Sequence, residues 1–435
     1  MLRIQFICVF TWVFLLGCSE TTKKLPYRNV QIIKTQGKYI LYRNNKPFVV
    51  RGASGSTNLR LLSESGGNTI RIWDTTHLGT ILDSAHANKI AVIIGLPVSN
   101  SKNQALYANP ASVAAQHQSF KSLVDRYKSH PAILMWCVGN ELDFSDNWSD
   151  YAFYKAFNAL TDMIHSQDPD HPVTTTVLNF NKKYIANLLL RCDIDLISFN
   201  IFSMLPFMRQ DLENFSWFWH GPFMVLEWGI DGPWTGTDQT AWSAFIEDSS
   251  WKKAQIYLSR YLASMPVENS RFLGSCVFFW GYKQETTHTW FSIFDRYGGK
   301  SQPISIMKYI WTGKKPDETY PAVNFMLVNN QGAKDNIILN EGDNATAEIV
   351  LFNNKDSIRT IQWEIYKEDW YKINYYENSM NFLHPLKGLL PESQGLKVGF
   401  KTPVEEGPYR IFATVYDHKG NFSTCNTPFY VLGLN

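Results

Sequence analysis

The chain reads as a (β/α)8 TIM barrel followed by a C-terminal immunoglobulin-like β-sandwich, so an α/β domain with an all-β appendage. Three observations predict this. Between Phe48 and Tyr282, apolar runs of strand length alternate with helical patterns eight times, as expected for parallel strands buried on both faces. That stretch and its last helix, roughly 270 residues, suit a single barrel. After Thr312-Gly-Lys-Lys-Pro316 helical periodicity fades, and short alternating runs spaced by Asn, Asp and Gly take over, as in a sandwich of about 110 residues.

The elements follow in order. Gly37-Lys-Tyr-Ile-Leu-Tyr-Arg-Asn-Asn-Lys-Pro-Phe48 alternates apolar and polar residues around Asn44-Asn45, which predicts a hairpin leading into the first barrel strand. The eight strands fall at Phe48 to Ala53, Thr69 to Asp74, Ile90 to Pro97, Ala132 to Glu141, Val173 to Leu178, Leu196 to Phe202, Phe223 to Trp228 and Phe272 to Tyr282. Amphipathic helices lie between several of them, clearest at Pro110 to Lys128, where Pro110 suits a first turn, and at Tyr151 to Ser166. A last helix, Pro303 to Trp311, closes the ring. Sandwich strands are expected at Ala345 to Phe352, Thr360 to Tyr366, Tyr409 to Tyr416 and Pro428 to Leu432. The barrel domain spans residues 37–315 and the sandwich 321–435, with the boundary at Pro316 to Pro321.

At the N-terminus, Arg3 precedes the apolar run Ile4 to Leu16. This run is too short to span a bilayer as a helix and reads as a signal sequence, residues 1–17. It ends in Leu15-Leu16-Gly17-Cys18, which resembles the lipobox of bacterial lipoproteins, where cleavage before Cys18 leaves that thiol acylated. Residues 18–36 would then tether the protein to the cell envelope as a lipid-anchored protein. Ser19, after the cysteine, points to the outer membrane.

Composition narrows the function. With 41 Lys+Arg against 39 Asp+Glu, the net charge is +2 and no dense basic stretch appears, which speaks against nucleic acid as a partner. Aromatic residues make up 15% of the chain and include 15 Trp, and indole faces stack on the apolar faces of sugars. Cys137 and Cys276 lie within expected barrel strands, so buried free thiols are favoured over a disulfide framework, with Cys192 and Cys425 as the other two. No Cys/His spacing suggests a metal site, and no cofactor is expected.

Two glutamates carry the chemistry. Glu141 ends Ala132-Ile-Leu-Met-Trp-Cys-Val-Gly-Asn-Glu141, and Glu227 ends Pro222-Phe-Met-Val-Leu-Glu227. A carboxylate at the C-terminal end of a barrel strand sits where such barrels keep their chemistry. Two of them facing one cleft can protonate a glycosidic oxygen and attack the sugar, or activate water. Glu141 would need a raised pKa, which a pocket of groups such as Trp136 or Trp280 could supply by desolvation. Glu227 must stay ionised, and Arg71, in Asn68-Thr-Ile-Arg71-Ile-Trp73-Asp74, is placed to hold it so. Asn140, beside the acid, can hydrogen-bond a sugar 2-hydroxyl. Asn200, Trp73, Trp228 and Trp280 complete the candidate substrate contacts. The loop from Gly281 to Trp290 is rich in hydrogen-bonding groups and reads equally as a substrate contact or as an ordinary solvent-exposed loop.

Asn140-Glu141 after a fourth strand, Glu227 ending a seventh, Arg71 on the second and Trp280 on the eighth together resemble the clan A glycoside hydrolases. The nearest likeness is to the barrel domain of family two, which includes β-galactosidases and β-glucuronidases. The resemblance covers about residues 37 to 312. It implies a retaining mechanism with Glu141 as acid/base and Glu227 as nucleophile. Two departures accompany it. Phe202 stands at the end of strand six, where such barrels often carry a Tyr or His hydrogen-bonded to the nucleophile, and Asn200 is a candidate replacement. Family two barrels also follow β-sandwich domains that this sequence does not show, which favours an open, endo-acting cleft for a β-glucan, β-mannan or galactan. The alternative is a non-catalytic glycan-binding envelope lipoprotein with a decayed hydrolase barrel.

Overall fold

The computed structural model describes residues 28–315, 320–352, 358–368, 383–391 and 395–433. The leader, Cys18 and most of the Pro316 to Pro321 boundary lie outside the described residues. Eight parallel strands form a closed barrel: β1 Val50–Ser54, β2 Thr69–Ile72, β3 Ala91–Leu96, β4 Ile133–Val138, β5 Val173–Leu178, β6 Leu196–Asn200, β7 Phe223–Trp228 and β8 Phe272–Phe278. Each pairs with its sequence neighbour, and β8 pairs with β1 to close the ring. Helices Pro110–Tyr127, Tyr151–Gln167 and Pro303–Thr312 match their expected bounds to within a residue. Asn109 caps the first of these by accepting from Ala111 N and Ser112 N, ahead of Pro110 at the first helical position.

The hairpin plugs the N-terminal mouth of the barrel. Lys38–Arg43 pairs with Lys46–Pro47 across Asn44-Asn45 and also with Val30–Thr35, a strand the sequence pattern did not reveal. Asn44 and Asn45 adopt φ of 50° and 59°, the left-handed pair that a tight hairpin turn demands and that asparagine tolerates. Val30 and Leu41 pack with Ala91, Ile93, Met135, Leu196, Met224 and Cys276 inside the ring. The barrel is thus sealed at one end by apolar side chains, and its opening is at the C-terminal ends of the strands. Cys137, Cys276 and Cys425 are buried free thiols and Cys192 is a half-buried one.

The C-terminal sandwich stacks two sheets. One orders Val323–Val328, Asn344–Leu351 and Lys397–Lys401, and the other is built on Ile358–Lys367, Gly407–Asp417 and Asn421–Leu432. Val323, Ala347 and Phe400 from the first meet Ile365, Ile411 and Phe429 from the second in a single core. The strand Asn421–Leu432 is buried along nearly its whole length, polar residues included, because its second face lies on the barrel. There Glu247 of the barrel accepts from Lys253 Nζ (2.5 Å), Thr287 Oγ1 (2.6 Å), Thr289 Oγ1 (2.8 Å) and Asn426 Nδ2 of the sandwich (2.8 Å). Burial pushes His288 down to about 4, so its neutral ring wedges against Phe412 and Tyr366 of the sandwich. The sandwich therefore clamps the loop that follows β8.

Candidate active site

Local backbone departures aim both glutamates at the opening. In β7, Met224 and Leu226 belong to the barrel interior, while Val225 and Trp228 belong to the layer under the helices. Strict alternation would leave Glu227 facing outward. The pairing skips between Val225 and Glu227 against β6, and between Val225 and Trp228 against β8. This bulge turns Glu227 into the mouth, a common use of bulges beside active sites. In β4 the strand stops at Val138. Gly139 (φ 79°) and Glu141 (φ 52°) are left-handed, and a Cβ on Gly139 would lie 2.4 Å from Leu142 Cδ1. Glu141 has no such freedom, so its φ is strained. Thr176 Oγ1 holds the turn by accepting from Glu141 N at 2.9 Å.

One hydrogen-bonded network joins the two acids. Arg71, fully buried, donates to Glu227 Oε1 at 2.5 Å and to Asn140 Oδ1 at 2.5 Å. Trp73 Nε1 donates to the same Glu227 oxygen at 2.8 Å. Asn200 Nδ2 donates to Asn140 Oδ1 at 3.0 Å and to Glu141 Oε1 at 2.8 Å. Thr176 Oγ1 adds a third donor to Asn140 Oδ1 at 3.0 Å. With its oxygen so occupied, the exposed Asn140 presents its NH2 to the cleft.

The electrostatics separate the two carboxyls. Burial is the largest influence on Glu141 and raises its pKa, against the Asn200 hydrogen bond and Arg71. Burial also pushes Glu227 up to about 8, with Arg71 opposing and Glu141 adding to the rise. Charge on Glu141 would raise Glu227 further, so the site favours one proton over none. Its location follows from the partners. Arg71 and Trp73 can only donate, so they favour a carboxylate on Glu227 and leave the proton on Glu141, which faces a single amide donor.

The expected tryptophans divide. Trp73 reaches the site, as a donor to Glu227, and so supplies the bond expected from strand six. Phe202 instead packs against Phe278, Phe291 and Trp234. Trp228 and Trp280 are not sugar contacts, because both are fully buried. Trp228 packs edge-on to Tyr257 and tilted against Tyr261, and Trp280 edge-on to Phe294 and tilted against Trp311. Trp136 is likewise buried, donating to Asp168 Oδ2 at 2.8 Å. The half-buried ring at the end of strand eight is Phe279, 5.8 Å from Trp73. Sequence reasoning missed Thr176, although Thr174-Thr-Thr176 in a buried strand signals polar groups lining the barrel.

Residues 73–286 match the family model described as Glycosyl hydrolases family 2, TIM barrel domain. Among solved structures, the β-glucuronidase of Bifidobacterium dentium superposes with a TM-score of 0.51 at 18% identity, covering 66% of this chain and 50% of that one. The β-D-glucuronidase of Dictyoglomus thermophilum gives 0.50 at 18%, covering 66% and 54%. A β-galacturonidase of Eisenbergiella tayi gives 0.50 at 17%, also covering 66% and 54%. The chain spans about half the length of these structures. No curated protein sequence matches it. The closed parallel barrel, the Arg71–Glu227–Asn140–Glu141 constellation at its C-terminal mouth and the match over residues 73–286 agree, and the barrel is similar to the TIM barrel domain of the family two glycosyl hydrolases, which supports a clan A glycoside hydrolase.

Proposed function

We propose that this protein is a retaining β-glycoside hydrolase acting on a β-glucan, β-mannan or galactan. The observation that carries the reading is the network in which Arg71 and Trp73 hold Glu227 while Asn200 holds Glu141 across the same opening. In the first step Glu141 gives its proton to the departing oxygen. Glu227 attacks the anomeric carbon through Oε2, since Arg71 and Trp73 both engage Oε1. The Asn140 amide donates to the sugar 2-hydroxyl, an interaction that strengthens in the transition state. In the second step Glu141, now a carboxylate, takes a proton from water as the water oxygen attacks the anomeric carbon, breaking its bond to Glu227 and releasing the sugar with its configuration retained.

An endo mode is supported by apolar side chains along the rim. Leu178 ends β5, Met204 and Phe207 follow β6 and Trp234 follows β7, and all four are exposed, as suits a glycan that extends past the scissile bond. Incubation with a panel of β-glucans, β-mannans and galactans should release oligosaccharides, with the β-anomer first in a proton NMR time course. First appearance of the α-anomer would sink the double displacement.

The anchor belongs to the same proposal. Acylated Cys18 would hold the enzyme on the outer membrane, with the residues before Val30 as the tether; the expected tether of residues 18–36 is too long, because Val30–Thr35 is a strand of the sheet that seals the barrel. No helix among the described residues is long and apolar enough to cross a membrane. Cys18→Ser should move the protein from the membrane pellet to the soluble fraction and abolish palmitate labelling. Unchanged labelling would rule out Cys18 as the acylated residue.

A further inference from the structure

The loop after β8 carries a charged pair into the cleft. Lys283 Nζ lies 2.5 Å from Glu285 Oε2 and 4.9 and 5.2 Å from the ring centres of Phe278 and Phe279, which fix the ammonium from below. Phe279 touches Trp73, the donor to Glu227. Consistent with this placement, Lys283 and Glu285 both act on the charge of Glu227, and Glu285 acts on Glu141. Hydrogen bonds tie the loop down. Lys283 N donates to Ser292 Oγ at 2.9 Å and Glu285 N to Thr287 O at 3.1 Å. Thr287 in turn donates to the buried Glu247, which the sandwich grips through Asn426.

The charges of this site are already matched. With the proton on Glu141, Arg71 faces Glu227 and Lys283 faces Glu285, and neither cation awaits an anion. A neutral sugar can still use the pair, because the ammonium has donors beyond the one given to Glu285 and the carboxylate accepts from hydroxyls. A sugar carboxylate would enter as an extra anion beside three acidic residues, desolvated and without a partner.

Resting on the glycosidase reading above, we propose that Lys283 and Glu285 form a selectivity subsite that accepts neutral sugars and rejects uronic acids. Glu285 both binds hydroxyls and withholds Lys283 from a carboxylate. This would distinguish the chain from the uronidases whose barrel fold it shares.

The test is calorimetry on the full chain with neutral sugar lactams of gluco, galacto and manno configuration and their 6-carboxylate counterparts. For the best-bound configuration, the carboxylate form should bind about 100-fold more weakly to the unaltered protein. Glu285→Gln frees Lys283, and the gap should narrow by about tenfold or more. Lys283→Met should weaken the neutral lactam without admitting the acid. Equal or tighter binding of the carboxylate, no binding of any lactam, or a gap that Glu285→Gln leaves unchanged at an unchanged melting temperature would each overturn the proposal. Binding is read without turnover, so this selectivity in a protein that hydrolyses nothing would sink the hydrolase reading alone. Hydrolysis with the opposite selectivity would sink only the proposal.

Discussion

Glu227→Gln is expected to lower kcat on the true glycan by at least about 10⁴-fold, the scale of losing a covalent nucleophile, while the protein still folds. Glutamine is nearly isosteric, and its carbonyl oxygen can still accept from Arg71 and Trp73 at the positions these donors now occupy. What it loses is the negative charge and the free oxygen that attacks. The substitution also leaves Arg71 as a buried cation without its counter-charge, so a lowered melting temperature should accompany the lost rate. Comparing the steady-state rate with substrate affinity in the variant separates the two effects. Binding should persist, because Asn140, Asn200 and the aromatic rim are untouched. A variant that keeps more than a few percent of the wild-type rate would show that the nucleophile lies elsewhere.

The barrel was legible because parallel strands buried on both faces write themselves as continuous apolar runs. All eight overlap the expected segments, and the hairpin turn is announced by Asn44-Asn45. The sandwich was less so. Val323–Val328 and Lys397–Lys401 escaped because short half-buried strands carry little pattern of their own, and only Pro428 to Leu432 was expected of the strand Asn421–Leu432, whose first half reads as polar because its Asn, Ser and Thr side chains are buried against another domain rather than exposed. In the site, Glu141, Glu227, Arg71 and Asn140 meet as expected, since each stands at the end of a recognisable strand. Trp228 and Trp280 misled because strand periodicity fails where strands end. The bulge that turns Glu227 inward sends Trp228 outward, and past the end of β8 it is Phe279 rather than Trp280 that meets Trp73. Residue type promised a sugar platform, and backbone geometry decided which ring would face the cleft. The role of Trp73 was hidden for a related reason. Its indole nitrogen replaces a hydroxyl expected from another strand, and only the three-dimensional ring places β2 opposite β6.

Arg71→Met tests the electrostatic half of the site. Arg71 opposes the rise that burial imposes on Glu227, so removing the guanidinium raises that carboxyl further. Attack requires the ionised form. The acidic limb of the pH–rate profile should therefore move to higher pH, with kcat/KM near neutrality falling by about 10²-fold or more, since each pH unit of displacement costs about tenfold on that limb. The sign for stability follows from linkage. A carboxyl raised in the folded state binds its proton more tightly there than in the unfolded chain. Folding is thus favoured at low pH relative to high, and the penalty grows between the unfolded value, about 4.3, and the folded one. In the variant that window reaches to higher pH, so its melting temperature should fall more steeply with pH than that of the wild type. Loss of one partner from a buried pair costs on the order of 3–5 kcal/mol once the survivor must ionise. Arg71→Lys provides the contrast. A lysine restores the charge but is a point donor without the planar fork that reaches Glu227 and Asn140 together. It should recover most of the melting temperature and the position of the acidic limb, yet little of kcat, because Asn140 loses the donor that helps aim its amide at the 2-hydroxyl. If Arg71→Met left the acidic limb where it is in the wild type, Glu227 would not be the group whose ionisation governs the reaction.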